Sequence, residues 1–361
     1  MNKPLTKRFV TLLLTALMFS QVTFSQTISD RIAEIKNIDY LKSTTADGKT
    51  LLEAYMTPWM NAFGAGLTGG WYNSAKPHKF GGFDITIGTN VSLIPASDET
   101  FDLSTLGLSA NMNPKTGTAP TIAGPREQGP AMTYSVSGVD LATFNTPRGT
   151  GIKFIPVPTA QVGIGLPLGT EIKGRFIPKI PIGGGDIMLW GVGLMHSIIQ
   201  YIPGNELLPV DVSLFGGYTK LNANIPVNLQ PGSPQNFTTY NASSFIDQKL
   251  SVAVQAFNVS AIASVNLAVI TLYGGLGYTK NSTVMNFTGN FPTPVLVGTS
   301  PEYNDSGVKK GESFGEMNFE NFSGLRANIG LRIKLAVITI HADYTRAHYN
   351  VVSTGLGVSF R

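Results

Sequence analysis

Ile338-Thr339-Ile340-His341-Ala342-Asp343-Tyr344-Thr345-Arg346 reads with a period of two and ends on an aromatic ring followed by a cation. Its even face carries Ile338, Ile340, Tyr344 and Arg346, and its odd face Thr339, His341, Asp343 and Thr345. Two earlier runs end the same way, Val212, Leu214, Tyr218, Lys220 and Ile270, Leu272, Leu276, Tyr278, Lys280. Hydrocarbon, then an amphipathic ring, then a cation is the order along the lipid-facing side of a membrane strand. The cation reaches anionic headgroup phosphates, so outer-membrane lipids and lipopolysaccharide are the expected surroundings. The repeated ending predicts an all-β transmembrane antiparallel barrel.

Period two holds over most of the chain. In Phe83, Ile85, Ile87, Val91 and Leu93 the apolar residues alternate with Asp84, Thr86, Gly88, Asn90 and Ser92. The same rule places strands near 64–73, 81–94, 101–110, 150–167, 169–178, 186–196, 208–222, 247–258, 266–283, 322–334, 336–348 and 350–360, which makes twelve. A hairpin within 131–144 would raise the count to fourteen. Long gaps at 111–149, 223–246 and 284–321 all fall on one end and tight turns on the other, as bacterial barrels with external loops and periplasmic turns require. Pro156 and Pro158 cannot donate to a ladder, so the strand that holds them is expected to be bulged or locally unpaired, with an opening in the wall as the stronger form of that expectation.

Ahead of the strands, residues 1–25 carry an early cationic group (Lys3, Lys7, Arg8), an apolar stretch from Phe9 to Phe19 and small Ser25, the pattern of a cleaved secretory signal peptide. Residues 26–63 read helical, with Ile28, Ile32, Ile35 and Ile38 on one face and Leu51, Leu52, Tyr55 and Met56 in a second stripe. This segment is expected either to plug the lumen from the periplasmic end or to hang below it as a periplasmic tail, with the barrel occupying 64–361. No stretch supplies the roughly 20 consecutive apolar residues of a membrane helix. Export plus a barrel gives the outer membrane as the expected location.

Composition excludes several classes. There is no cysteine, so neither disulfides nor thiolate chemistry is available. Without the three cations of the signal, 23 basic residues face 22 acidic ones, and no basic block interleaved with aromatics remains to bind nucleic acid. Charged residues are 13% of the chain, against about a quarter in ordinary soluble domains. Mean hydropathy is only +0.10, as a wall with one apolar face gives.

The expected lumen face concentrates charge at Arg326, Arg332, Lys334, His341 and Asp343, and the outer girdle comprises Tyr218, Lys220, Tyr278, Lys280, Tyr344 and Arg346. His341 and Asp343 lie two apart on one face, within reach of a His–carboxylate pair, but an interior network with Arg326 or Arg332 is the stronger reading. The four histidines make no metal motif, and Gly183-Gly184-Gly185 lacks the strand-to-helix context of a phosphate loop. No cofactor and no enzymatic role are expected. The end of the chain, Val352, Leu356, Val358, Phe360 and Arg361, is similar to the signal that barrels present to their assembly machinery, with the aromatic residue penultimate.

The stretch Leu189-Trp190-Gly191-Val192-Gly193-Leu194-Met195-His196, continuing through Tyr201-Ile202-Pro203-Gly204 and Leu207-Leu208-Pro209 to Phe215-Gly216-Gly217-Tyr218-Thr219-Lys220, resembles an uncharacterised family of Gram-negative outer-membrane barrel proteins. Those motifs mark wall and turns and are nearly silent on activity. More distantly, the helical prefix and the proline-disrupted strand resemble the long-chain fatty-acid transporter class, which implies an N-terminal plug and a lateral opening for hydrophobic cargo. The functional expectation is a channel or transporter admitting small, hydrophobic molecules; the rival is a surface-exposed binding or structural barrel working through its loops, and an outer-membrane hydrolase comes third.

Overall fold

A computed structural model describes residues 45–182, 184–204, 208–227, 247–292, 295–298, 300–302, 308–310, 315–319 and 323–360. The signal peptide and the Ile28–Ile38 stripe lie outside the described residues. Ten long strands form the wall: β1 (Phe83–Leu93), β2 (Phe154–Leu166), β3 (Thr170–Ile182), β4 (Gly185–Ser197), β5 (Val210–Pro226), β6 (Lys249–Leu267), β7 (Ile270–Thr288), β8 (Ser323–Leu335), β9 (Ile338–Arg346) and β10 (Asn350–Phe360). Each pairs antiparallel with its sequence neighbour, and β1 closes on β10 from Phe83↔Phe360 to Leu93↔Asn350. The sheet therefore closes into a ring with no free outer strand, and its backbone is paired between strands wherever the ladders run.

The count is ten, not twelve or fourteen, and the difference has identifiable causes. Residues 64–68 are the last turns of a helix, α1 (Thr45–Thr68), so the barrel begins at Phe83 rather than at 64. The alternation expected of a strand there comes instead from Gly64 and Gly66, which let the helix approach the wall: a Cβ on Gly66 would sit 2.6 Å from Val157 Cγ2. The expected strand at 101–110 shrinks to Thr100–Asp102, because Asp102 caps a following 3-10 turn by accepting from the Ser104 amide at 2.8 Å. The Ala131–Val136/Val139–Asn145 hairpin exists, but in the long connection between β1 and β2 and apart from the wall.

One end of the barrel carries tight turns at 167–169, 268–269 and 336–337, where Leu168 and Gly169 both adopt positive φ (59° and 61°), the pairing that matches strand twist. The other end carries the connections 94–153, 227–248 and 289–322. Ile85, Val162, Leu194, Leu214, Leu272 and Ile329 are among the exposed residues that make the outer surface an apolar band. β5 runs six residues past Lys220 and β7 eight past Lys280, to Pro226 and Thr288, so the wall continues beyond the aromatic ring positions.

The lumen is filled, and differently at its two ends. At the long-loop end α1 packs its Leu51, Leu52, Tyr55, Trp59 and Met60 against inward residues of the extended wall such as Leu221, Val254 and Phe287. Met112, Ile122, Met132 and Phe144 of the long connection join the same core. The helix thus enters from the long-loop end, with Asp47 accepting from Ser109, and stops halfway down; it does not plug the barrel from the tight-turn end. From there a strap, residues 69–82, descends to β1, holding Trp71 and Tyr72 against Phe215 and Tyr273. No described helix is long and apolar enough to cross a membrane.

Candidate functional site

Three features of the lumen and wall carry chemistry. The first is the end of α1. A helix leaves its last carbonyls unpaired and its dipole negative there, and α1 has no basic residue in its final turn. The barrel supplies the donors. Arg175 of β3 donates from Nη1 to the Leu67 carbonyl (3.1 Å) and from Nη2 to that of Gly69 (2.7 Å). Arg326 of β8 donates to the Thr68 carbonyl (2.8 Å), and Asn258 (3.0 Å) does the same. Asn90 donates to the Gly66 and Gly69 carbonyls. Arg175 also lies 3.7 Å over the Trp71 ring, so the planar guanidinium is held on two sides.

The second feature is a seam in the wall. β2 and β3 run side by side but pair only between Gln161↔Arg175 and Leu166↔Thr170; Phe154–Ala160 and Phe176–Ile182 do not pair with one another. Parity explains why. The β1–β2 ladder carries bonds from Ile94 N–H to the Lys153 carbonyl and from Gly165 N–H to that of Gly82, so odd residues of β2 bond to β1 and even ones face β3. Pro156 and Pro158 are even, so the donors they lack are those that would cross the seam. On β3 the residues facing β2 are also even, from the Val162↔Gly174 pair, and Pro178 is one of them. The β3–β4 register slips at the same place, between Ile177 and Ile180. Inside the seam lie Ile155 and Val157, both buried in the long-loop core, with Ile177 packed against it. The expected local unpairing is therefore present.

The third feature is a polar cluster at the tight-turn end. His78 of the strap holds Glu171 of β3 twice, through its backbone N–H and through Nδ1, each at 2.9 Å, and its Nε2 lies 2.9 Å from Ser359 Oγ. Lys173 Nζ bridges Glu171 closely and lies 3.8 Å from Asp84 Oδ1. Arg332 and Lys334 both donate to Ser359 Oγ. Because that oxygen accepts from two cations, its own proton is free for His78 Nε2, and His78 then donates from Nδ1 to the carboxylate.

The sequence-derived site residues divide between these features. Arg326, Arg332, His341 and Asp343 are buried and face the lumen, with Lys334 half-buried beside them. His341 and Asp343 do not pair: His341 Nδ1 meets Asn73 Nδ2 (3.4 Å), whereas Asp343 accepts from Tyr273 (3.1 Å). Arg332 also donates to Asn73, and Arg326 serves the helix end. Lys280, Tyr278, Tyr344 and Arg346 are exposed on the outer face; Tyr218 and Lys220 are half-buried, with Tyr218 donating to Gln255 and its ring 5.5 Å from Trp190. Asp84, Glu171, Lys173 and Arg175 were not singled out from the sequence. Their signal was present: Glu171, Lys173 and Arg175 form a charged odd face against Ile172, Gly174 and Phe176.

Known proteins were compared with the chain by structure and by sequence. The structure is similar to the attachment invasion locus protein Ail of Yersinia pestis, at 9% identity over 78% of this chain and 98% of that one, with a TM-score of 0.24. The translocator domain of the autotransporter NalP from Neisseria meningitidis gives 11% identity over 84% and 93%, with a TM-score of 0.28. The toluene transporter TbuX of Ralstonia pickettii gives 11% over 78% and 89%, with a TM-score of 0.17. Overlaps this slight carry no functional inference. No curated protein matches the sequence. At the level of sequence a family model matches residues 3–360, and by it the protein belongs to the family of unknown function DUF6588.

Proposed function

We propose that this is an outer-membrane barrel, its long-loop end outside the cell, that admits a small apolar molecule through the β2/β3 seam to the apolar core around α1. The seam carries the reading. A barrel that only had to close would keep donors at 156, 158 and 178, because unpaired strand edges invite wrong pairing. Register neighbours put the start of the seam beside the outer ring positions: Phe176 lies opposite Trp190, and Trp190 opposite Lys220. An apolar solute leaving the bilayer through the headgroup level would meet Ile155, Val157 and Ile177 just beyond it. A general polar pore is disfavoured, since α1 and the strap fill the lumen. No enzymatic role is proposed, as His341 and Asp343 hold separate partners.

The test uses the absence of native cysteine. Ala160→Cys and Phe176→Cys, on the next rung beyond Gln161↔Arg175, form a disulfide that clamps the seam. Entry of an apolar fluorescent probe into cells carrying the oxidised protein is expected to fall severalfold and to recover on reduction. Equal entry in both states refutes the route.

A second reading, a surface-binding barrel, rests on the long connection between β1 and β2, whose Met112, Ile122 and Met132 are fully buried. An ordered cap of this kind presents a fixed surface. Replacing 131–145 by a short linker is then expected to abolish partner binding while leaving probe entry intact.

A further inference from the structure

The tight-turn cluster contains more than an ion-pair network needs. Ligand atoms of His78, Asp84 and Glu171 lie within 4.8 Å of one another. They come from three elements, the strap, β1 and β3, whose backbones are fixed independently. Asp84 is 4% exposed, its Oδ2 accepts from Thr86, and its Oδ1 makes no hydrogen bond although it points into the cluster. A buried carboxylate oxygen without a donor is costly unless something occupies that position.

The convergence of these groups is built into the wall. On β2, opposite, Gly163 and Gly165 take the two inward positions. A Cβ on Gly163 would fall on the Asp84 and Glu171 carboxylates, and one on Gly165 on the His78 and Lys79 carbonyls. Both wall glycines leave clearance for the carboxylates to converge and for the strap to pass. Lys173 presses its ammonium onto Glu171 and stays 3.8 Å from Asp84, short of the hydrogen bond that would complete it.

We propose that His78, Asp84 and Glu171 form a binding site for a divalent transition-metal ion of the Zn2+ type, which displaces the Lys173 ammonium and fastens the strap to the wall. One imidazole and two carboxylates are ligands suited to such an ion, and a displaced Lys173 is long enough to turn its ammonium elsewhere. On binding, the imidazole changes tautomer, losing the proton at Nδ1 to solvent and gaining one at Nε2, so that the metal takes Nδ1 while Ser359 Oγ accepts from Nε2 in place of its long contact with Arg332 (3.4 Å). The inference does not depend on the seam or on any cargo.

The experiment is a Co2+ and Zn2+ titration of the full chain, purified without a histidine tag and stripped with chelator, read by Co2+ visible absorption and by calorimetry. One ion per chain is expected. Asp84→Asn is expected to weaken binding at least about tenfold, and Lys173→Met, which removes the competing cation, to tighten it by about the same factor. Heat-modifiable migration reports that each variant is a folded barrel, and Glu171→Gln stands in for any variant that is not. No saturable signal in either the native protein or Lys173→Met overturns the proposal. So does native-like affinity in a folded Asp84→Asn or Glu171→Gln protein, which would locate the ion elsewhere.

Discussion

Arg175 does more work than its place in a charged strand suggests. It holds two carbonyls at the end of α1, the Gln161 side chain (2.9 Å) and the face of Trp71. Substituting Arg175→Met takes the donor from Gln161 Oε1 and leaves the Leu67 and Gly69 carbonyls with only their longer contacts to Thr219 (3.3 Å) and Asn90 (3.2 Å), and denaturant unfolding is expected to show a loss of about 2 kcal/mol. Arg175→Lys is expected to recover only part of that loss, because one ammonium cannot reproduce a fork. His341→Ala, which removes a single 3.4 Å contact, is expected to change stability far less in the same assay. Which residues faced the lumen was legible, since period two fixes the face. Which lumen residues met was not, because partners such as Asn73 and Thr68 belong to a segment that threads the interior.

At the scale of elements, the wall strands, β1 included, were readable from alternation alone, while residues 64–73 and 101–110 were misleading. A helix that packs inside a barrel has apolar and small residues on several faces, and in 64–73 this imitates a strand. Only the wall reveals why Gly66 is glycine. Gly66→Leu is expected to push α1 off Val157 and to lower stability by about 1–3 kcal/mol, seen as earlier unfolding of the long-loop end by tryptophan fluorescence from Trp59. The seam was half legible: two prolines announced an irregular β2, but that their missing donors faced β3, and that Pro178 matched them from the other side, required the register. Tyr349, between β9 and β10, donates to the Asp98 carboxylate of the long connection, and burial raises the phenol above its ordinary range. The contact therefore survives mild alkali.

For the whole molecule, strand length and pairing divide stability unevenly. β5, β6 and β7 pair along 17 to 19 residues, whereas β2 and β3 share a short ladder. Hydrogen exchange in detergent is expected to protect 250–265 most strongly and to label 154–160 and 176–182 earliest on the faces that meet at the seam. Uniform protection around the wall would mean that the two strands pair after all.

The strap that joins α1 to β1 also constrains how the molecule is made. Because β1 pairs with β10, the ring cannot shut until β10 has been synthesised and delivered. The helix, tethered to β1 by residues 69–82 and carrying Trp59 and Tyr55 buried on its flanks, is best placed within the curving sheet before that closure, when no side chain has to pass a finished wall. The plug is therefore a mould around which the wall closes, and its early folding is part of the assembly schedule of the barrel.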